Sequence, residues 1–221
     1  MNELILKLSE FEIIKIIEKN NNNFEKIDYC CDEIQACFLN QKEQSFCIGE
    51  NSVGLFFESL ITRLKKAIDE KLQLHESLTQ NLGVLYNEYN QELAYDNHNI
   101  SRFFQVPTLS GKSTYWVGKK YHIWSTYIPT SPNIATWLYN DQDGNIIFEV
   151  TRTYKWSFLP DDPECPEFVT YKEFMKNYKS VVRKIIPHDT AVEWLKQSMQ
   201  VYRGFFSDEE SFQDTLKKIG Y

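Results

Sequence analysis

Along residues 146–156 the side chains alternate with a period of two. Ile146, Phe148, Val150, Arg152, Tyr154 and Trp156 fall on one face, and Ile147, Glu149, Thr151, Thr153 and Lys155 on the other. Only an extended strand separates residues in this way. The preceding segment, Asp141-Gln142-Asp143-Gly144-Asn145, is made of residues that close tight hairpin turns. The chain is therefore expected to contain an antiparallel sheet, and upstream residues extend it. Tyr115-Trp116, a turn near Gly118, the segment 121–127, a loop at Pro129 and Pro132, and the segment 134–140 read as three further strands dominated by rings.

The N-terminal half adds a hairpin and a helix. From Tyr29, alternation of Ile34, Ala36 and Phe38, repeated by Phe46 and Ile48 after a charged turn, predicts two paired strands. Phe56, Phe57, Leu60, Ile61, Leu64, Ile68 and Leu72 then recur at helical spacing, with Asn51 or Ser52 as the cap and Arg63, Lys65 and Lys66 interleaved. Residues 3–18 carry Leu4, Leu8, Phe11 and a cluster of isoleucines too dense to show a period, and are read as a helix ended by Asn20 to Asn23. Residues 75–113 read as strand fragments and a long loop.

After an acidic loop at 160–167, Thr170 with Glu173, and Ser207 with Glu210, have capping-box spacing. Between them Pro187 breaks the chain before a helix through Ala191, Trp194, Leu195, Met199 and Tyr202, capped by Asp189 or Thr190. Strands in the middle with helices on either side, and no βαβ alternation, predict an α+β fold. It has a central, mostly antiparallel sheet, a long helix in the N-terminal half and a helical C-terminal third. At 221 residues and 42% hydrophobic content, one domain spanning 1–221 with a packed core is expected.

Chemistry-bearing motifs fail on spacing. Gly111-Lys112-Ser113 lacks the upstream glycine of a phosphate loop, because Val106 and Pro107 stand there. Asp141 to Gly144 lacks the further ligands of a calcium loop. Cys30, Cys31, Cys37, Cys47 and Cys165 form no Cys-x-x-Cys pair, and an odd count in a chain of this length predicts reduced thiols. No serine lies in a Gly-x-Ser-x-Gly turn. No metal, cofactor or catalytic residue is predicted. A formal charge of −7 argues against nucleic acid and suits a cationic partner. The Met1 segment, acidic and without an apolar run, predicts a cytoplasmic protein with no membrane anchor.

Taken in order, Tyr121-His122-Ile123-Trp124-Ser125, Trp137-Leu138-Tyr139-Asn140, Gly144-Asn145-Ile146 and Glu149-Val150-Thr151 to Tyr154-Lys155-Trp156 resemble a family of small bacterial proteins. These are the immunity partners of polymorphic or contact-dependent toxins. The resemblance spans about residues 115–200, and this chain has Arg152 where a proline is expected before Tyr-x-Trp. It implies an α+β domain that neutralises a toxin by covering it.

Two functional readings follow. In the first, the chain binds a protein partner, such as a basic toxin domain, through Asp161, Asp162, Glu164 and Glu167, with Tyr154 and Trp156 as aromatic anchors. In the second, an enzyme or small-molecule binder uses a cleft on the aromatic sheet, where His122, Glu149 and Arg152 orient an anionic ligand. Arg152 separates them: on the apolar parity of its strand it is either paired in a cleft or exposed at a strand end. A homodimer with a self-complementary apolar patch is a third arrangement.

Overall fold

A computed structural model describes residues 3–19, 24, 33–40, 42, 44–76, 78, 81–94, 103–108, 111–126, 133–157, 164–176 and 178–221. For 93–94, 103–108 and 111–115 it describes the backbone alone. The fold is α+β. Two four-stranded antiparallel sheets and a separate hairpin carry the strands that sequence periodicity had assigned to one central sheet.

The first sheet is a meander of β1 (Leu4–Lys7), β2 (Ile13–Glu18), β3 (Glu33–Leu39) and β4 (Ser45–Ser52). Residues 3–18, expected to be helical, are therefore a hairpin. Leu4, Leu6, Ile14 and Ile16 are buried at every second position, so the apolar residues follow the two-residue period of a pleated strand. The isoleucine run, β-branched and stiff, favours that outcome. Pairing across the turn is set by Leu8 and Ser9, whose amides both donate to the Glu12 carbonyl. Helix α1 (Val53–Ile68) follows directly, with Ser52 at its N-cap position but making no side-chain capping bond.

The second sheet has the order β10-β9-β8-β7, built from β7 (His122–Thr126), β8 (Ile134–Asn140), β9 (Ile146–Arg152) and β10 (Val182–Ile186). The turn before β9 is held by Asp141, whose Oδ1 accepts from the amides of Asp143 and Asn145 at 3.0 and 2.9 Å, with Gly144 at φ 82°. Strand β10 lies within the third of the chain expected to be helical. Its short Val-Arg-Lys-Ile-Ile run gains strand structure by pairing with β9, a long-range contact that no local pattern announces. The remaining hairpin, β5 (Phe103–Thr108) with β6 (Gly111–Trp116), absorbs Gly111-Lys112-Ser113 into a strand. It leads into a 3-10 turn, Val117–Tyr121.

Helix α2 (Leu82–Ala94) occupies a stretch expected to be loop. Asn81 caps it by accepting from the amides of Gly83 and Val84 at 2.9 and 3.3 Å. Helix α3 (Tyr171–Lys176) begins with the expected box, in which the Thr170 hydroxyl and amide both donate to Glu173 and the Glu173 amide donates back. Helix α4 (His188–Arg203) starts after Pro187 with no side-chain capping bond. In α5 (Glu209–Lys218) the cap is Asp208 instead of Ser207, since its carboxylate accepts from the Ser211 amide.

One buried cluster runs through both sheets and their helices. Trp124 stacks on Phe56 of α1 at 4.5 Å and donates its indole N–H to the Phe56 carbonyl. Thr136 donates to the Ile48 carbonyl at 2.6 Å, joining β8 to β4. Gly49 lies so close to the Trp124 side chain that a Cβ there would overlap it, so the sheets can meet only because residue 49 is glycine. Trp194 of α4 packs edge-on against Phe148 and donates to the Lys7 carbonyl at 3.0 Å, tying α4 to both sheets.

Candidate functional site

Residues opposite one another in an antiparallel sheet share a face. The register therefore aligns His122, Trp137, Glu149 and Arg183 in one row across β7, β8, β9 and β10. Helix α2 lies over this row, with the Tyr86 ring 5.2 Å from Trp137 and 6.3 Å from His122. His122 and Glu149 flank Trp137, two strand spacings or about 10 Å apart. Arg152 has the opposite parity and lies on the other face, at the end of β9.

Glu149 is 1% exposed and fully engaged. Its Oε2 accepts from the Tyr139 hydroxyl at 2.8 Å, and its Oε1 accepts from Asn81 Nδ2 at 3.0 Å and from the Ser180 hydroxyl. Burial, and then the Glu149 charge beside it, push the Tyr139 phenol up. Tyr139 and Glu149 in turn hold Arg183 firmly charged. This is a satisfied buried carboxylate that fastens α2 and the segment before β10 to the sheet.

Arg152 is exposed and makes no ion pair with the described residues. Its carbonyl, which could have continued the ladder, accepts instead from Asn87 Nδ2 at 3.0 Å and the Tyr178 hydroxyl at 3.2 Å. The Tyr154 amide donates to Asn87 Oδ1 at 2.6 Å. Asn87 thus ends β9 at Arg152, and the alternation expected to continue to 156 stops four residues early. His122, Glu149 and Arg152 do not converge on one cleft.

The expected contact residues are also dispersed. Glu164 and Glu167 are exposed, and Glu167 pairs with Lys155 at 3.3 Å; Asp161 and Asp162 lie outside the described residues. Tyr154, expected as an exposed anchor, is 8% exposed. It packs on Tyr171 and Phe174 and donates its hydroxyl to the Val169 carbonyl. Trp156 is half-buried, with its ring 5.4 Å from Phe168 and under the Lys155 ammonium at 5.0 Å. The chain turns at 155–157.

Two surfaces were not anticipated. The first is a groove of about 590 Å³ between β1 and the start of α4, where Ile5, Leu8 and Trp194 meet Glu10, Asp189 and Glu193, with Lys7 as the one basic side chain in its lining. The exposed Phe11 lies in the neighbouring turn. The second is a cavity of about 470 Å³ between α1, the 3-10 turn and β7, lined by Arg63, Lys66, Lys119, His122 and Glu58 among others. Burial first, and then the charges of Arg63 and Lys119, push the His122 imidazole down to about 4, against the opposing pull of the Trp124 backbone. Burial likewise pushes the Arg63 guanidinium down. Arg63 carried a legible signal: it stands seven residues after Phe56, three after Leu60 and four before Ala67, all buried, so it falls on the apolar stripe of α1.

Among the described residues no group of three or more His, Cys, Asp or Glu side chains is placed to hold a metal ion. No helix among them is long and apolar enough to cross a membrane. No family model, curated protein or solved structure matches this chain.

Proposed function

We propose that this chain acts by binding another protein with a cationic surface, without catalysing a reaction. On the resemblance described above, that partner is a toxin domain, such as a nuclease, which the chain neutralises in the cytoplasm by covering it. The observation that carries the reading is the groove beside β1, where Glu10, Asp189 and Glu193 surround an apolar floor of Ile5, Leu8 and Trp194. Apolar floor and charged rim are the anatomy of a protein contact, and the carboxylates select a basic partner. Strand β1 is a sheet edge, paired among the described strands with β2 alone; the Lys7 carbonyl at its end accepts from Trp194, and the edge before it is where an added segment would pair. The overall charge of −7 steers a basic partner towards the chain. The exposed Glu164 and Glu167 supply a second acidic patch.

The test is co-expression with a toxin-like product of the adjacent gene, followed by pull-down and cell rescue. Reversal of Glu10, Asp189 and Glu193 to Lys is expected to abolish rescue, and reversal of Glu164 and Glu167 to weaken it. Binding that survives both sets and is insensitive to salt between 50 and about 300 mM would refute the reading, since exposed charges are largely screened over that range.

A further inference from the structure

In a chain of net charge −7, the concave surface between α1, the 3-10 turn and β7 is basic. Arg63 and Lys66 enter the 470 Å³ cavity from α1, Lys119 from the 3-10 turn and His122 from β7, against one carboxylate, Glu58. That carboxylate is already engaged, since its Oε1 accepts from the Tyr202 hydroxyl at 2.9 Å. Basic side chains thus outnumber the carboxylate in the lining, and burial keeps His122 neutral.

Within this lining two nitrogens lack partners: Arg63 Nε and His122 Nε2 are buried and make no hydrogen bond. Native interiors seldom leave such groups unsatisfied: Arg63 Nε–H can donate to a ligand oxygen, while His122 Nε2, the acceptor nitrogen of a neutral imidazole, accepts from a ligand O–H. Among the described residues no carboxylate pairs with Arg63, and burial pushes its guanidinium down. Its position on the apolar stripe of α1 is thus an expense that the fold itself does not offset.

We propose that this cavity binds the phosphoryl group of a small metabolite, with Arg63 and His122 as its inner contacts and Lys66 and Lys119 at its mouth. A singly protonated phosphoryl group offers oxygens to the Arg63 N–H and a P–OH to His122 Nε2, a combination that a carboxylate anion lacks, and a guanidinium presents N–H groups in the geometry that phosphate oxygens accept. The Ser59 and Thr62 side chains line the same wall. The volume exceeds that of a phosphoryl group and falls within the range of small-ligand sites, about 300–1,000 Å³, leaving room for an attached organic moiety. This site lies apart from the groove beside β1, so the proposal stands whether or not the chain binds a protein.

The experiment is titration of the full chain with inorganic phosphate, followed by calorimetry and by the thermal midpoint, against sodium chloride and sodium acetate at equal ionic strength. Phosphate is expected to raise the midpoint where chloride and acetate do not. Arg63→Met, which keeps the apolar stem, is expected to weaken phosphate about tenfold or more, whereas Lys196→Gln, at an exposed cation of α4 outside this cavity, leaves it unchanged. An equal response to phosphate and chloride, or an Arg63→Met titration that overlays the wild type, would overturn the proposal. Should Arg63→Met not fold, Lys66→Ala and Lys119→Ala alter exposed side chains and are expected to weaken phosphate about threefold each. No change in either overturns it equally.

Discussion

Replacing Glu149 by alanine tests whether the buried carboxylate is the fastening that joins α2 and the segment before β10 to the second sheet. The substitution removes the acceptor of three hydrogen bonds, from Tyr139, Asn81 and Ser180. A buried donor left unsatisfied costs about 1–3 kcal/mol. Ser180 and Asn81 are near enough to solvent to recover part of theirs, while the Tyr139 hydroxyl is enclosed with the carboxylate. A total loss of about 3–5 kcal/mol results, near the upper end for a single substitution. For a chain of 221 residues this lowers the thermal midpoint by about 6–20 °C. Glu149→Gln keeps the shape and one acceptor oxygen, and is expected to lose only about 1–2 kcal/mol as charged acceptors become neutral ones. The assay is urea unfolding followed by far-UV circular dichroism and tryptophan fluorescence together, with coincident transitions required before a free energy is extracted. If alanine costs less than about 1 kcal/mol, or no more than glutamine, the three donors find water, and the account of Glu149 as an enclosed fastening is wrong.

Three further outcomes are expected. The His122 imidazole, pushed down to about 4 from 6.5, binds fewer protons in the folded than in the unfolded chain between those values, so its contribution to stability is complete above about pH 6.5 and is lost as pH falls towards 4. In phosphate-free buffer, His122→Gln should flatten the unfolding free energy across that window, and an unchanged pH profile would show that the imidazole is not held neutral. Gly83→Ala should destabilise by about 1–3 kcal/mol in chemical denaturation, because the added Cβ stands 2.6 Å from the Thr151 Cβ and overlaps the Tyr178 hydroxyl; an increase in helix stability instead would mean that α2 can shift off the sheet. Cys37 and Cys47 face each other across β3 and β4, and the neighbouring Cys47 thiol holds the Cys37 thiol below its ordinary range. Iodoacetamide at pH 7 should therefore label Cys37 ahead of Cys165, and Cys47→Ser should change that rate; equal labelling of all thiols refutes the pairing.

Much of the fold was legible where a local period and a local stop agreed. The β8–β9 hairpin announced itself because Asp141 and Gly144 close a turn by short-range bonds while the flanking residues alternate. Helix α1 was legible for the same reason, since Phe56, Leu60 and Leu64 lie on one side of it at any level of tertiary detail. Even the missed helix α2 carried a signal, the Asn81 cap before Leu82, Leu85, Tyr86 and Tyr89 at helical spacing. Residues 3–18 were misjudged because a dense run of isoleucines is apolar under any period, and only pairing with β3 decides between helix and strand.

The candidate sites were less legible, because a site is defined by residues that the chain brings together from distant positions. Sequence showed that Arg152 and Glu149 belong to one strand, and from their odd spacing that they face opposite ways. It could not show that Asn87, 65 residues away from Arg152, would end the strand there and leave the guanidinium in water. The sequence by itself determined the acidic balance, the antiparallel hairpins and the amphipathic stripe of α1, since each depends on residues near one another in the chain. Only the tertiary structure decided that the strands divide into two sheets meeting at Gly49 and Trp124, and that Arg63 and His122, 59 positions apart, share one basic cavity. Close packing makes those choices, because whether two elements can approach depends on the shapes of side chains that no local pattern relates.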